Sequence, residues 1–393
     1  MAFDFESATP RWNTWSAKWD LLAAPLGAKS LSLSVADMEF QTCPAVKRAI
    51  EKAAEHGIYG YTEVFEDFRR ACVSWQSSRH RWDVQEDRVV FYPRIVQMIS
   101  ALLTYGYERP PTVATFMPAY GPILEVVARR GSRLLEVNLD DTDEGWKIPF
   151  SAMSEAMARA DIFLLCSPHN PTGRVWTGSE LTLIAEAALE NNTLIVSDDI
   201  HSDFTRTGET YLPLETVAAE LSERGLLITC TSPGKTFNTA GLESSAIIVS
   251  SEFQRDLLEN AKRNMGLHNP NYFAIPATVT AWNHGHDWAD ALNERIDANI
   301  GLAMNVIREG LPRARCHRPE GTYLLWLDLQ EYITSPADLD SWQERAKIAV
   351  SAGSDFGSSF EGYARLNVAV PPDSLCKALD QFIDATPNSG GKS

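Results

Sequence analysis

The sequence lacks three features that would each indicate a particular setting. It has no apolar run near the roughly 18 residues of a membrane-spanning helix, and its first residues lack the basic and apolar parts of a secretory signal peptide. Its six cysteines lie far apart with no CxxC pair, which predicts reduced, mostly buried thiols. We therefore predict a cytoplasmic protein with no membrane contact and no metal site.

An excess of positive charge is also missing. The chain has 35 lysines and arginines against 52 aspartates and glutamates, which gives a formal net charge of −17. Because nucleic acids and anionic membranes bind basic faces, we expect neither as a partner. The simplest interpretation of the negative net charge is that it keeps the protein soluble.

The length of 393 residues is sufficient for two unequal domains. Short apolar runs alternate with helical patterns in the middle of the chain, as is typical of βαβ units and a mostly parallel sheet. One connecting helix is predicted from the capping box at 177–180. The predicted strands of this region are 112–117, 161–166, 193–197, 226–230 and 245–249.

After residue 275 the pattern changes to long amphipathic helices with a few strands, such as 323–329. This change predicts a smaller α+β domain, joined to the rest through 288–299. We assign 1–45 to an N-terminal arm and part of the small domain, 46–285 to the large domain and 286–393 to the small C-terminal domain. Residues 387–393 are expected to form a frayed terminus.

Three predicted strands end in unusual polar residues, which include Asn170, Asp198 and Lys235. Ligands of doubly wound sheets bind outside the carboxyl ends of the strands, so these side chains are predicted to converge. The trio suits a pyridine aldehyde: a partly deprotonated lysine forms an imine, a carboxylate keeps the ring nitrogen protonated, and an amide holds the phenolic oxygen. Taken one at a time, Lys235 is also compatible with a surface lysine, Asp198 with a helix cap and Asn170 with a turn residue.

At these motifs the sequence resembles the fold-type I pyridoxal-5′-phosphate (PLP) enzymes of the aminotransferase superfamily. It is most similar to their MalY/PatB branch of cystathionine β-lyases and related C–S lyases. The resemblance covers nearly the whole chain and implies an α/β fold, with a mostly parallel seven-stranded sheet in the large, PLP-binding domain and a smaller α+β C-terminal domain. It includes Val-Ala-Asp-Met-Glu-Phe at 35–40, Ser-Pro-His-Asn-Pro at 167–171, Asp-Asp-Ile-His at 198–201, Lys-Thr-Phe-Asn at 235–238 and Arg-Leu-Asn at 365–367.

The resemblance implies a role for each residue that binds the cofactor ring. Lys235 is the Schiff-base lysine and moves protons at the substrate Cα, and Asp198 faces the pyridine nitrogen. Asn170 holds the phenolic oxygen, with His201 where many relatives have tyrosine. Tyr120 stacks on the ring, and the alternative for this side chain is a tyrosine of the core.

The resemblance also implies the contacts of the phosphate. Ser232 and the backbone amides of Ile95 and Val96 are expected to bind it. Tyr61 is expected to reach the phosphate of a neighbouring subunit, which implies a homodimer with shared active sites.

The substrate is implied to be an amino acid. Arg365 would bind its α-carboxylate with a planar guanidinium, and the alternative is a surface salt bridge. Ala36 and Asp37 belong to the segment near the substrate entrance. The departures from the family pattern are Ser34, Arg94, Asp199 and Gly234, and a serine in place of the bulky ring at position 34 leaves room for a larger conjugate than cystathionine.

The activity implied is β-elimination from an S-substituted cysteine, which yields a thiol, pyruvate and ammonia. The alternatives are an aminotransferase, or a PLP enzyme that catalyses decarboxylation or oxidative deamination at the substrate Cα. A third alternative is a regulator that binds a transcription factor, which an intact trio of Asn170, Asp198 and Lys235 disfavours.

Overall fold

The computed structural model describes residues 3–267 and 269–387. The predicted frayed terminus at 387–393 therefore lies almost entirely outside the described residues. The strands, numbered along the chain, are β1 (Leu31–Ser32), β2 (Val89–Tyr92), β3 (Thr112–Met117), β4 (Arg133–Asn138), β5 (Asp140–Thr142), β6 (Gly145–Lys147), β7 (Ile162–Cys166), β8 (Leu194–Asp198), β9 (Leu227–Thr231), β10 (Ser245–Val249), β11 (Leu324–Asp328), β12 (Ile348–Ala349), β13 (Ser351–Ala352) and β14 (Tyr363–Asn367).

Helices cover both faces of the main sheet and form most of the C-terminal region. A π-helical segment, Ala17–Ala23, precedes them. The α-helices are α1 (Pro44–Glu55), α2 (Glu66–His80), α3 (Ile95–Tyr105), α4 (Gly121–Arg129), α5 (Phe150–Met157), α6 (Gly178–Asn191), α7 (Leu214–Val217), α8 (Ala219–Glu223), α9 (Pro233–Thr236), α10 (Glu252–Asn264), α11 (Ala274–His284), α12 (His286–Gly310), α13 (Pro336–Ala346) and α14 (Pro372–Asp384).

The main sheet has seven strands in the order β2-β10-β9-β8-β7-β3-β4. Strand β10 is antiparallel to both of its neighbours, and the other pairs are parallel. The predicted mostly parallel seven-stranded sheet is therefore confirmed, and all five predicted strands agree within one residue at each end. Their unbroken apolar runs reflect burial on both faces.

The predicted capping box at the start of α6 is present. Thr177 Oγ1 accepts a hydrogen bond from Glu180 N at 3.2 Å, and Glu180 Oε2 accepts one from Thr177 N at 2.8 Å. Two amides that the helix leaves free are thus satisfied at the point where the chain turns back towards β8.

The C-terminal region forms a second layer, in which β11, β14 and β13 make an antiparallel sheet. The stretch 288–299, where we place the junction, lies in the first half of the continuous helix α12. The N-terminal segment packs on this region, because β1 pairs in parallel with β12 and Phe5, Leu33 and Phe40 share one apolar cluster with α12 and α14. The domain boundaries at 45/46 and 285/286 stay predictions.

All six cysteines are free. Cys43, Cys72 and Cys230 are buried, and Cys166, Cys316 and Cys376 are partly exposed. Among the helices in 3–267 and 269–387, none has the length and apolar character needed to cross a bilayer.

Candidate active site

The polar strand ends lie together at one edge of the sheet. Strands β7, β8 and β9 are parallel neighbours, and Asn170, Asp198 and Lys235 lie at or just after their carboxyl ends. All three side chains line one cavity of about 370 Å³. This volume falls within the range of small-molecule sites. The residues that are far apart in sequence thus form one site.

Lys235 lies in the short helix α9, where Ser232 Oγ accepts a hydrogen bond from Gly234 N at 3.0 Å. Its Nζ donates to the carbonyl oxygen of Ala36 at 2.6 Å. Burial lowers the pKa of Lys235 to about 8, and the charge of Arg365 acts in the same direction. Roughly a tenth of the amine is therefore neutral at pH 7, far more than for an ordinary lysine, and the neutral form is the nucleophile for a carbonyl group.

The two acids that end β8 have different environments. Asp198 lines the cavity, where Ile200 N donates to its Oδ1 at 3.3 Å and burial raises its pKa to about 6. Asp199 lies in the interior, accepting hydrogen bonds from Ser197 and Tyr211, and burial raises its pKa to about 7. Alternation along the strand explains the difference, since successive side chains point to opposite faces.

His201 is buried in the wall of the cavity, and only 1% of its surface is exposed. Burial lowers its pKa well below the usual range, with a further lowering by the charges of Lys235 and Arg365, so the imidazole is neutral. Its Nδ1 has no hydrogen-bond partner among the described residues. A buried polar atom that lacks a partner and lines a cavity indicates a bound group that supplies one.

Arg365 is buried on β14, and only 4% of its surface is exposed. Its Nη1 donates to Asn170 Oδ1 at 3.1 Å, and its Nη2 donates to Ser34 O and Ser351 Oγ, each at 3.2 Å. The guanidinium lies 4.7 Å from the centre of the Phe356 ring. Burial lowers the pKa of Arg365 to about 10.

No carboxylate forms an ion pair with Arg365 within the described part of the chain, and its Nε lacks a hydrogen-bond partner there. The alternative of a surface salt bridge therefore does not fit this arginine. A buried cation without a balancing anion is costly, which indicates that an anion binds at this end of the cavity.

Another part of the cavity wall is formed by the start of α3 and by the residues around Ser232. Ile95 and Val96 are the first residues of α3 and line the cavity, as does Ser232, whose Oγ donates to the carbonyl oxygen of Ser244 at 2.6 Å. The Arg94 side chain forms an ion pair with Glu243 at 2.7 Å. The first turn of a helix offers free amides, and this arrangement suits an anionic group.

Tyr120 lies at the mouth of the cavity, directly before α4, and 37% of its surface is exposed. This exposure does not fit a tyrosine of the core. Burial raises the pKa of its hydroxyl, so the phenol stays neutral near pH 7.

Two residues with expected roles are not among the described residues that line the cavity, namely Asp37 and Tyr61. The carboxylate of Asp37 forms ion pairs with Arg11 at 2.8 Å and Lys18 at 3.6 Å, whereas Ala36 does line the cavity. Tyr61 is 98% exposed.

Sequence reasoning missed the residues that hold the segment 34–40 against the cavity. The hydroxyl of Tyr323 donates to Ala36 O at 2.9 Å, Asn238 Nδ2 donates to Met38 O at 2.9 Å, and Asn367 Nδ2 donates to Asp37 O at 2.6 Å. Both asparagines belong to motifs quoted above, which marked them as residues of interest. The motifs did not indicate that their side chains hold the backbone of the segment 34–40. Across 3–267 and 269–387, no group of three or more His, Cys, Asp and Glu side chains is arranged to bind a metal ion.

Comparison with known proteins shows which family and which fold the chain resembles. The family model described as aminotransferase class I and II matches residues 28–382. Cystathionine β-lyase PatB of Bacillus subtilis is 32% identical over 93% of the chain and 95% of its own length, and protein MalY of Escherichia coli is 30% identical over 98% of both.

Solved structures extend the similarity to the whole fold. Cystalysin from Treponema denticola, which contains a pyridoxal 5′-phosphate cofactor, matches with a TM-score of 0.93 at 27% identity over 98% of this chain and 99% of that one. The PLP-bound C–S lyase of Staphylococcus hominis matches with a TM-score of 0.90 at 27% identity over 98% of both chains. The chain belongs to the aminotransferase class I and II family and has the fold of its fold-type I members.

Proposed function

We propose that this protein is a PLP-dependent C–S lyase that catalyses β-elimination from an S-substituted cysteine to a thiol, pyruvate and ammonia. One observation carries the proposal. A lysine amine with a lowered pKa, a partly buried acid and a buried arginine without an acidic partner line the same cavity of about 370 Å³. The similarity to proteins named cystathionine β-lyase and C–S lyase supports the reaction type.

The residues of the cavity fit PLP at each of its polar groups. Lys235 fits the aldehyde and Asp198 the ring nitrogen. The partnerless Nδ1 of His201, with the amide of Asn170, fits the phenolic oxygen. Tyr120 lies at the mouth, where its ring can cover one face of the cofactor.

The phosphate of the cofactor fits the part of the cavity wall that is formed by the start of α3 and by Ser232. The amides of Ile95 and Val96 are there, at the start of α3, and the hydroxyl of Ser232 can donate to the phosphate once it turns away from the carbonyl oxygen of Ser244. Arg94 already pairs with Glu243, so we assign the phosphate to these neutral donors rather than to its charge.

When bound, PLP supplies a protonated ring that takes up the electron pair left on the substrate α-carbon. Asp198 keeps the ring nitrogen protonated through its negative charge. Arg365 binds the α-carboxylate and thereby orients the substrate, because its fork forms two parallel hydrogen bonds to a carboxylate.

Lys235 moves the proton that the elimination requires. Its neutral amine accepts the proton of the substrate Cα, which the lowered pKa makes feasible near pH 7. The resulting ammonium then holds the proton that the departing sulfur takes up. Hydrogen and charge therefore balance within the site for the release of a neutral thiol. The other product, 2-aminoacrylate, takes up water after its release and gives pyruvate and ammonia.

We further propose a homodimer in which Tyr61 reaches the phosphate of the neighbouring subunit. The segment 58–65 supports this assembly, because Ile58, Tyr59, Tyr61 and Phe65 are each more than half exposed. Apolar side chains exposed together indicate a surface that another chain covers. We also propose a cytoplasmic location, where the six free cysteines stay reduced.

The test is a substrate screen of the purified, PLP-loaded protein. Cysteine S-conjugates and ordinary amino acids are supplied in turn, and thiol, pyruvate, other keto acids and carbon dioxide are measured together. We expect equal amounts of thiol and pyruvate from cysteine S-conjugates. A keto acid formed from ordinary amino acids without thiol release would instead identify an aminotransferase, and release of carbon dioxide would identify a decarboxylase.

A further inference from the structure

The cavity differs in polarity and exposure between its depth and its mouth. Asn170, His201 and Arg365 are buried in its depth, whereas Leu22, Tyr120 and Asp355 line it as exposed residues. If Arg365 holds the α-carboxylate, as the proposed function requires, the part of the substrate beyond sulfur extends towards the exposed residues. These residues are then the ones that contact the leaving group.

Asp355 is held in its position by the fold. It belongs to the 3-10 turn Gly353–Phe356, and the carbonyl oxygen of Phe356 accepts a hydrogen bond from Ala119 N at 2.9 Å. The backbone of Asp355 comes so close to Gly121 that a side chain there would collide with its carbonyl oxygen. The turn is therefore fixed directly beside Tyr120, at the mouth of the cavity.

The charge of Asp355 is not balanced by an ion pair within the described part of the chain. Burial raises the pKa of this carboxyl group, while the charge of Arg365 opposes that effect and favours the ionised form. Arg94 is a charged side chain in the cavity wall, and Glu243 neutralises it at 2.7 Å, whereas Asp340 lies near Asp355 but outside that wall. The mouth thus offers one negative charge, an apolar wall at Leu22 and an aromatic ring.

We infer that this enzyme selects S-substituted cysteines whose leaving group carries a positive charge, and that Asp355 is the residue that recognises it. The inference rests on the proposed lyase function and adds the chemical class of the leaving group. An organic cation of modest size fits, since a carboxylate and an aromatic ring both attract cations. The net charge of −17 also favours the approach of cationic substrates.

The experiment compares three substrates that differ in the charge of the leaving group. They are S-(2-aminoethyl)-L-cysteine, S-propyl-L-cysteine and S-carboxymethyl-L-cysteine, which are cationic, neutral and anionic. The thiols differ in leaving ability, but this difference cancels when the same ratio of kcat/KM values is compared between variants. Asp355→Asn should lower the ratio of the aminoethyl to the propyl substrate by about fivefold to tenfold.

The matched control is Asp340→Asn, which removes one acidic charge from α13, near Asp355 but outside the cavity wall. Its ratio should equal that of the unmodified enzyme. Asp355→Lys should reverse the order and favour the carboxymethyl over the aminoethyl substrate. An equal change for all three substrates in Asp355→Asn would overturn the inference, because Asp355 would then act only through Arg365.

A binding measurement separates this inference from the proposed function. Calorimetry with the PLP-loaded Lys235→Ala protein gives the dissociation constants of the three compounds without turnover. Tighter binding of the aminoethyl compound, lost in the double variant with Asp355→Asn, supports cation recognition. If no compound yields pyruvate with the unmodified enzyme, the lyase proposal fails, and these constants still decide the role of Asp355.

Discussion

The side chains in the depth of the cavity are buried, whereas those of the segment 58–65 are largely exposed. In the cavity, Arg365 contacts Asn170 and Lys235 contacts Ala36, and each of these partners belongs to a distant part of the same chain. In the segment 58–65, Tyr61 is 98% exposed, and Ile58 and Phe65 are each 67% exposed. The contacts of Arg365 and Lys235 are therefore made within one chain, whereas Tyr61 leaves almost its whole surface open to the partner subunit that we propose.

The largest expected effect comes from the cavity. Lys235→Ala should lower pyruvate formation by at least about a thousandfold, because both the covalent attachment and the proton transfer at Cα are lost. PLP should still bind through Asp198 and the phosphate contacts, which absorbance spectroscopy and equilibrium dialysis can measure.

The matched control for this change is Lys262→Ala. Lys262 is another buried lysine, whose Nζ donates to Phe91 O at 3.2 Å outside the cavity. We expect this variant to lose stability but to keep the turnover of each folded molecule. Full activity in Lys235→Ala would refute the assignment of the lysine.

Arg365→Ala should have the next largest effect, a loss of about a hundredfold in kcat/KM, or about 2.7 kcal/mol. Most of this loss should appear as a higher KM, since the guanidinium is assigned to the α-carboxylate. Steady-state kinetics with one cysteine S-conjugate measures both constants.

Arg206→Ala is the control, because Arg206 is also a buried arginine and burial likewise lowers its pKa to about 10, but it does not line the cavity. If the KM of Arg365→Ala were unchanged, the carboxylate site would lie elsewhere.

The smallest effect is expected in the segment 58–65. Tyr61→Phe should weaken PLP binding by about threefold to tenfold, the net contribution of one ordinary hydrogen bond. Equilibrium dialysis of the apoprotein measures this constant, and sedimentation velocity measures the mass of the assembly.

Tyr59→Phe provides the comparison, because the hydroxyl of Tyr59 donates to Ala54 O at 2.8 Å within its own chain. It should leave PLP binding unchanged. A monomer with undiminished PLP affinity in Tyr61→Phe would show that the segment plays no part in the site.

The sequence predicted what depends on local pattern. The five strands and the capping box follow from apolar runs and from Thr177 and Glu180, and the sheet topology then brings Asn170, Asp198 and Lys235 together. These residues follow neighbouring parallel strands, so the order of the strands in the sheet is enough to bring them together.

Other contacts had no local signal. Asp37 and Ala36 are adjacent in sequence, yet one pairs with Arg11 and Lys18 while the other lines the cavity. Nothing in the segment 35–40 distinguishes these roles. Asp355 likewise reaches the cavity only because its turn packs against the start of α4, a contact between elements more than 200 residues apart.

The carbonyl oxygen of Ala36 gives the site a particular order of assembly. It accepts hydrogen bonds from Lys235 and from Tyr323, which lie 199 and 287 positions further along the chain. During synthesis, the segment around Ala36 leaves the ribosome first. It can contribute to the cavity only after Lys235 and Tyr323 have also been translated. Contacts of such long range form late, so we expect the growing chain to acquire its cofactor only after almost all of it has been translated.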